Sequence, residues 1–292
     1  MKPVVLHARP KRKRHRLLKG VLVVLFATGL TTFAIHASDS FSLPEGGFLA
    51  AVGRSGPVEH CPKGMVYVPQ SGGGFCIDQY EASPGEGCAH RTVGNQFDTE
   101  ANLHNPLCMP VSVPDATPWV NVPEHEALAL CAKAGKRLPT NGEWYRAALG
   151  TPEDAQGMAS TCALDHVGVS AADRTGSHEG CVSSYGVYDM VGNVWEWVDA
   201  VSENGMYGTR LLPGEGFVSE SDADGVPSSV ATSSDRAYGN DYFFSDQSGV
   251  KGMFRGGFWA MGEKAGVFTV NATIPTSFVG NAVGFRCARE AQ

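Results

Sequence analysis

The stretch YGVYDMVGNVWEW, residues 185–197, is the most specific local signal in the chain. In it, Asp189 and Glu196 stand on either side of a glycine-containing turn. Calcium binds several carboxylate and carbonyl oxygens at about 2.3–2.6 Å, so these two side chains and the carbonyls of the turn would suit a calcium ion. The alternative is a tight turn without an ion, after which Trp195 and Trp197 pack into the core. The residues of the stretch leave both interpretations open.

Two helices are predicted before this stretch. Asn121 is a favourable cap for the first helix, and Gly135 is a typical stop after it. Thr140 and Glu143 form a capping-box pattern for the second helix, which is predicted to end near Gly150. From there to the end of the sequence almost no helical pattern is present.

The remaining patterns predict short strands and long irregular connections. Residues 65–69 and 75–78 alternate apolar and polar side chains, as strands do. Residues 82–118 are rich in Pro, Gly and Asn without a helical period, and they are predicted to form a long loop. With 36 Gly and 17 Pro in the chain, we expect an α+β domain with much irregular backbone.

The N-terminus has the pattern of an export segment. The first 36 residues hold eight Lys and Arg and no acidic residue, and an uncharged apolar run extends from Gly20 to Ile35. Cations before such a run stay in the cytoplasm while the following chain crosses the membrane. The run is longer than a typical cleaved signal and shorter than a full membrane span, so both interpretations stay open. The basic cluster at residues 11–16 would also suit nucleic acid, but the apolar run directly after it favours export.

The predicted organisation has three parts. Residues 1–37 form a basic N-terminus with a signal-anchor or signal helix, residues 38–60 a stalk rich in Ser and Gly, and residues 61–292 a folded domain. We expect an extracytoplasmic protein, periplasmic or at the cell surface, held at the cytoplasmic membrane by a single N-terminal helix.

The charge balance argues against a nucleic-acid partner. Eight of the 23 basic residues lie in the N-terminal segment, so residues 37–292 keep 15 basic residues against all 30 acidic ones. A domain with a net charge of −15 repels phosphate backbones and suits hard cations or basic partners.

All eight cysteines lie in the part predicted to be exported. An even number in an oxidising compartment predicts up to four disulfides. The sequence contains no C-x-x-C pair, which argues against a zinc ribbon or a thioredoxin-like site. Spacing alone does not choose among the possible pairings.

Several ordered motifs together resemble the formylglycine-generating enzyme, or sulfatase-modifying factor, family. The resemblance extends over about residues 60–290. It rests on MVYVP (65–69), DQYE (78–81), GKRLPTNGEW (135–144), the stretch quoted above, RGG (255–257) and GFRC (284–287).

The resemblance implies a fold and a metal site. The family fold is a variant of the C-type lectin fold with much irregular structure. One family calcium site corresponds to Asp189, the carbonyls of Gly192 and Val194, and Glu196. The resemblance therefore implies bound calcium in this domain.

The resemblance also implies disulfides. A family disulfide corresponds to Cys131 paired with Cys287. Cys162 and Cys181 flank one loop before the calcium stretch, and we pair them. The pairing of Cys61, Cys76, Cys88 and Cys108 stays open, and one arrangement of these four joins Cys88 with Cys108 and Cys61 with Cys76.

The sequence departs from the family at the copper site. Family enzymes hold copper(I) with two cysteines after the RGG motif, and copper(I) selects soft thiolates. Here the segment 255–266 reads RGGFWAMGEKAG, so that Met261 and Gly266 occupy the two cysteine positions and Phe258 replaces the usual serine. A glycine cannot provide a side-chain ligand. We therefore expect no copper and no formylglycine formation by the family mechanism.

Three functions remain open from the sequence. The first is a membrane-tethered, calcium-stabilised domain that binds a peptide, protein or envelope ligand in the former substrate groove, lined by Trp259 and Met261. The second is an extracytoplasmic oxidoreductase or another enzyme on the same scaffold, with Glu263 as the candidate acid or base. The third is a purely structural module of the cell envelope, which would have a closed groove.

Overall fold

A computed structural model describes residues 61–153, 161–165, 168 and 170–292. The predicted N-terminal helix (1–37) and stalk (38–60) lie outside the described residues. Among the residues described there is no helix with the length and hydropathy of a membrane span.

The domain is dominated by short strands and contains few helices. Within the described residues the helices are α1 (Gln96–His104), α2 (Glu124–Lys133) and α3 (Asn141–Ala148), together with 3-10 turns at Arg236–Tyr238 and Gly262–Lys264. The strands are β1 (Met65–Gln70), β2 (Gly73–Asp78), β3 (Ser83–Pro84), β4 (Pro110–Val111), β5 (Trp195–Glu203), β6 (Met206–Tyr207), β7 (Arg210–Leu211), β8 (Gly216–Ser221), β9 (Pro227–Ala231), β10 (Tyr242–Ser245), β11 (Val250–Arg255), β12 (Val270–Ile274), β13 (Val283–Phe285) and β14 (Ala288–Glu290). This is the sheet-rich α+β architecture that the sequence predicts.

The largest sheet brings the ordered motifs together. Its strand order is β7-β6-β5-β11-β12-β10-β8-β9, and β13 pairs with β5 outside this path. The strand β5, which follows the calcium-like turn, has antiparallel β11 on one side and parallel β13 on the other. As a result Glu196 lies opposite Arg255 of the RGG motif and opposite Gly284 of the GFRC motif. A smaller sheet has the order β1-β2-β14.

The capping signals correctly predict α3 and approximately predict α2. The Thr140 hydroxyl accepts a hydrogen bond from the Glu143 amide, and the Glu143 carboxylate accepts one from the Thr140 amide, which completes the capping box. Helix α2 begins later than predicted, because Pro123 is its cap. Asn121 has a left-handed backbone (φ 56°) and belongs to the turn before it. Gly135 follows the helix in a left-handed conformation (φ 69°), as expected of a helix stop.

The prediction that residues 82–118 form a loop is wrong in part, because α1 lies within this segment. Asn95 caps the helix by accepting a hydrogen bond from the Asp98 amide. The residues that α1 buries are Thr99 and Asn102, which are polar. A helix that buries polar side chains has no apolar period, and this is why the sequence pattern missed it.

Three fully buried tryptophans anchor the core, and each indole N–H has an acceptor. Trp119 donates to Thr99 Oγ1, Trp197 to the Val122 carbonyl and Trp144 to Glu196 Oε2, at 2.7–3.1 Å. The tryptophans therefore fix the positions of the polar groups around them.

All eight cysteines are paired in disulfides. Cys131–Cys287 joins α2 to the end of β13, and Cys162–Cys181 closes the loop before the calcium-like turn. The two other pairs are Cys61–Cys76 and Cys88–Cys108. Cys131–Cys287 and Cys162–Cys181 are the pairs expected above, and the structure assigns the four cysteines whose pairing the sequence left open.

Candidate functional site

The turn between Asp189 and Glu196 is tight. Asp189, Gly192 and Asn193 all have left-handed backbone conformations, with φ of 56°, 80° and 53°. A methyl group on Gly192 would lie 2.2 Å from the carbonyl oxygen of Ala163, so only glycine fits there. Beyond the turn Trp195 and Trp197 are buried. The tight turn and the buried tryptophans expected of the interpretation without an ion are thus both present, and they are compatible with a bound ion as well.

Glu196, one of the predicted calcium ligands, is engaged by neighbouring side chains. Its Oε1 accepts a hydrogen bond from Arg286 Nη2 at 2.6 Å, and its Oε2 accepts from Arg286 Nε and Trp144 Nε1 at 2.7 Å. Glu196 and Arg286 are both fully buried. Glu196 is therefore the anionic partner of a buried arginine, whether or not an ion is also bound.

Asp189 faces a second buried carboxylate, that of Glu81. Asp189 Oδ2 accepts a hydrogen bond from the Gly176 amide at 2.6 Å, and Glu81 Oε1 accepts one from Asn193 Nδ2 at 2.7 Å. Glu81 Oε2 is buried without a hydrogen-bond donor. Burial raises the pKa of Glu81 well above its usual value, and the charge of Asp189 raises it further. Burial also raises the pKa of Asp189.

These contacts fit a cation beside Asp189. Two carboxylates meet there, and one of their oxygens lacks a donor, as a calcium ligand would. Among the described residues no three His, Cys, Asp or Glu side chains form a metal-binding group, so a calcium ion here would need backbone carbonyls such as those of Gly192 and Val194. Glu81 lies in the DQYE motif but was not predicted to neighbour this site.

The rewritten segment 255–266 is closely packed around Gly266. A methyl group on Gly266 would lie 1.8 Å from Oδ1 of Asp241, so the carboxylate occupies the direction in which any side chain would extend. At the other substituted position, Met261 is partly buried against the core. Because every cysteine is in a disulfide, the chain has no free thiol for either position.

Of the predicted groove residues, Trp259 is buried and Met261 is partly buried, whereas the predicted catalytic residue Glu263 is exposed. Trp259 is only 3% exposed and packs with Ala163 and Val194. Glu263 is exposed in the 3-10 turn Gly262–Lys264. The burial of Trp259 argues against an open groove beside it, and the exposure of Glu263 argues against a role as acid or base.

A second pair of carboxylates lies beneath the rewritten segment. Val267 donates its amide to Glu153 Oε1, and Phe268 donates its amide to Asp241 Oδ2, both at 2.6 Å. Burial raises the pKa of Asp241 well above its usual value, with a further rise from the charge of Glu153. Burial also raises the pKa of Glu153. This pair was not predicted, because its members lie 88 positions apart and share no motif.

A polar cavity of about 380 Å³ opens elsewhere on the domain. Arg91 and Arg174 line it, and Arg174 pairs with Asp115 at its edge. Ser83 also lines the cavity, and its hydroxyl oxygen is buried without a hydrogen-bond partner. Unpaired donors in a cavity are available to a ligand that carries acceptor groups.

The known proteins to which this chain is similar include formylglycine-generating enzymes and a hercynine oxygenase. Residues 71–291 match the family described as Sulfatase-modifying factor enzyme 1-like domain. The chain is 32% identical over 120 residues to inactive C-alpha-formylglycine-generating enzyme 2 of Bos taurus, covering 36% of this chain and 40% of that protein. It is 31% identical over 161 residues to the formylglycine-generating enzyme of Mycobacterium tuberculosis, covering 47% and 48%. It is 29% identical over 158 residues to hercynine oxygenase of Mycolicibacterium thermoresistibile, covering 51% and 30%.

The chain thus spans less than half the length of these relatives. The family match nevertheless covers most of the domain, from the loop after β1 to the residue that follows β14. The chain belongs to the sulfatase-modifying factor enzyme 1-like domain family.

Proposed function

We propose that this protein is an exported, membrane-tethered family member that has lost copper-dependent formylglycine formation and binds a peptide or envelope ligand. The observation that carries the proposal is the contact between Gly266 and Asp241. A carboxylate fills the space in which a copper-binding thiolate at position 266 would have to lie. The fold would be the family's variant of the C-type lectin fold.

The loss of copper follows from ligand chemistry. Copper(I) is held by soft thiolate and thioether ligands. All eight cysteines are paired in disulfides. In residues 255–266, Met261 is then the one residue that could offer sulfur to copper. A relative that is itself named an inactive formylglycine-generating enzyme supports the same interpretation.

Calcium is the cation that we propose beside the tight turn. Asp189 and the carbonyls of Gly192 and Val194 would hold it together with one second carboxylate, either Glu196, as the resemblance implies, or Glu81, whose Oε2 has no donor. Bound calcium would neutralise the two buried carboxylates and keep the turn in its left-handed conformation. Its role is structural.

The ligand is proposed to bind in the cavity lined by Ser83, Arg91 and Arg174. The predicted groove is less favoured as the binding place, because Trp259 offers only 3% of its surface to a ligand. The exposed Arg91 is a donor suited to a ligand with carboxylate or carbonyl groups, and the buried Ser83 hydroxyl at the cavity wall has no partner among the described residues. Export of the domain is supported by its four disulfides, which persist in oxidising compartments.

The copper proposal is tested with the full chain purified from membranes. We expect calcium and no stoichiometric copper by elemental analysis. We also expect no oxidation of a cysteine-containing sulfatase peptide when copper, reductant and oxygen are supplied. Stoichiometric copper with turnover would overturn the proposal. Resistance of the membrane-bound chain to alkaline carbonate washing tests the tether.

The ligand proposal is tested with a phage-displayed random peptide library selected on the same protein in calcium. We expect enriched peptides to bind the parent and the control Arg289→Ala equally, and to bind Arg91→Ala and Ser83→Ala at least tenfold more weakly. Arg289 is charged like Arg91 but does not line this cavity. Failure to enrich peptides, or equal binding to all variants, would contradict binding of peptides in this cavity.

The alternative is an extracytoplasmic oxidoreductase or another enzyme with a non-copper site. The observation that favours it is the pair Glu153 and Asp241, whose raised pKa values suit proton transfer. A relative named hercynine oxygenase is consistent with other chemistry on this scaffold. The test is the pH profile of any activity detected: Glu153→Gln should remove a limb of the profile, whereas Glu263→Gln should leave it unchanged.

A further inference from the structure

Glu153 and Asp241 form a second buried acidic site that shares no residue with the turn at Asp189. Asp241 directly precedes β10 and has no exposed surface, and Glu153 follows α3 and is partly exposed. Each carboxylate uses one oxygen to accept a hydrogen bond from a backbone amide, Val267 for Glu153 and Phe268 for Asp241. Within the part of the chain that the structure describes, the other oxygen of each side chain accepts no hydrogen bond.

The two remaining oxygens, Glu153 Oε2 and Asp241 Oδ1, both lie beside Gly239. A methyl group on Gly239 would lie 2.1 Å from Glu153 Oε2 and 2.9 Å from Asp241 Oδ1. Gly266 borders the same carboxylate, with a methyl position 1.8 Å from Asp241 Oδ1. Glycines at both positions therefore keep carbon atoms out of the space around these oxygens. Asp241 Oδ1 is buried and has no hydrogen-bond partner.

Among the described residues, no cationic side chain forms an ion pair with either carboxylate, although the charge of Arg255 lowers the pKa of Asp241. Arg255 is the buried arginine whose charge acts on Asp241, but its guanidinium donates to Asn141 and to backbone carbonyls, among them that of Val267. The Lys264 ammonium lies over the Tyr242 ring, 4.3 Å from its centre. Burying carboxylates without a counter-charge costs several kcal/mol per ion. Either a proton or a bound cation must offset this cost.

We infer that Glu153 Oε2 and Asp241 Oδ1 bind a hard divalent cation, calcium or magnesium. Carboxylate oxygens select these ions over softer metals. Magnesium in particular is often held by one or two carboxylates and several waters, and the exposed edge of Glu153 admits water. The amide hydrogen bonds to both carboxylates favour their charged forms. Binding of a cation requires both carboxylates to be charged, whereas a shared proton would leave one of them neutral.

The test counts ions on the full-length protein in detergent after removal of metals with a chelator. Calcium chloride or magnesium chloride is then added, and native mass spectrometry and thermal unfolding are recorded for the parent, Asp241→Asn and Asp189→Asn. Both variants preserve the shape of the side chain and remove its charge. We expect one ion fewer on Asp241→Asn than on the parent, and a smaller rise in melting temperature on adding the ion.

Asp189→Asn separates this site from the calcium proposed at the turn. If both sites exist, each single variant loses one ion and the double variant loses both. If only the turn binds calcium, Asp241→Asn keeps the ion count and the melting shift of the parent. That result overturns the inference and identifies a carboxyl pair that shares a proton.

Glu153→Gln keeps the test decisive if Asp241→Asn does not fold. Glu153 is less buried, so its substitution disturbs the packing less. Loss of one ion, or at least a tenfold weaker affinity for it, supports the site. An unchanged ion count and affinity overturn it.

Discussion

Arg286 and Glu196 form a doubly hydrogen-bonded ion pair from which solvent is fully excluded, with N–O distances of 2.6 and 2.7 Å. Arg286 also donates to the carbonyls of Asp78 and Tyr188. One guanidinium thus connects the GFRC motif, the turn stretch and the strand β2. These contacts hold together in space three segments that are far apart in the sequence.

Glu196→Gln should destabilise the domain by about 3–5 kcal/mol, because it leaves the buried Arg286 charge without its partner. Chemical denaturation measures this loss. The matched control is Glu290→Gln, which removes an exposed partner of Arg137 and should cost less than about 1 kcal/mol.

Repeating the denaturation of Glu196→Gln in chelator separates the ion pair from calcium binding. We expect the difference from the parent to persist without calcium, because the arginine remains unpaired. If the difference disappears in chelator, Glu196 stabilises the domain through the metal and the assignment as an ion-pair partner is wrong.

Removal of Cys131–Cys287 by double serine substitution should destabilise the domain more than removal of Cys88–Cys108. The two bridges close segments with sequence separations of 156 and 20. On the chain-entropy model these loops contribute about 5 and about 3 kcal/mol. Denaturant midpoints of the two double variants test the order. The reverse order would show that native-state strain or residual structure outweighs loop length.

The stability of the domain should fall between pH 4.5 and 7 through Glu124. Burial, together with the charge of Asp199, raises the pKa of Glu124 from 4.5 to about 7, although Glu124 begins α2, where the helix dipole favours a charged carboxylate. The folded state therefore holds the proton more tightly than the unfolded state. Its stabilising contribution is complete below pH 4.5 and is lost as the pH rises through 7.

Glu124→Gln removes this titration. The stability of the variant relative to the parent should increase from pH 4.5 to 7, by no more than about 3 kcal/mol. Urea unfolding at several pH values measures it. A difference that does not change with pH would show that Glu124 titrates normally.

Local signals predicted the parts of the fold that local interactions determine. Thr140 and Glu143 lie three residues apart and satisfy each other's backbone, so their pattern is visible in the sequence. The helix α1 was missed because its buried face carries Thr99 and Asn102. Their environment is supplied by distant segments, as in the bond from Trp119 to Thr99.

The two buried carboxylate pairs could not be predicted for the same reason. Asp189 was identified by its motif, but its neighbour Glu81 lies 108 positions earlier. Asp241 and Glu153 are also far apart in the sequence and come together only in the folded domain. The burial of two carboxylates side by side is a property of three-dimensional packing. The family resemblance predicts a cysteine where this chain has Gly266, and the structure shows Asp241 Oδ1 in the direction of a side chain at that position.

Gly266→Ala should therefore destabilise the domain by about 1–3 kcal/mol, since its methyl group must displace Asp241 Oδ1 from 1.8 Å. The control Gly214→Ala places a methyl group where no atom lies within 4 Å and should be close to neutral. Introducing Gly266→Ala into Asp241→Ala should cost less than in the parent, because the clash is relieved, and a double-mutant cycle of denaturation midpoints measures this coupling. If Gly266→Ala is neutral in the parent, position 266 can accept a side chain after all. The carboxylate would then be no obstacle to a thiolate there, and the proposed loss of copper would rest on the missing cysteines alone.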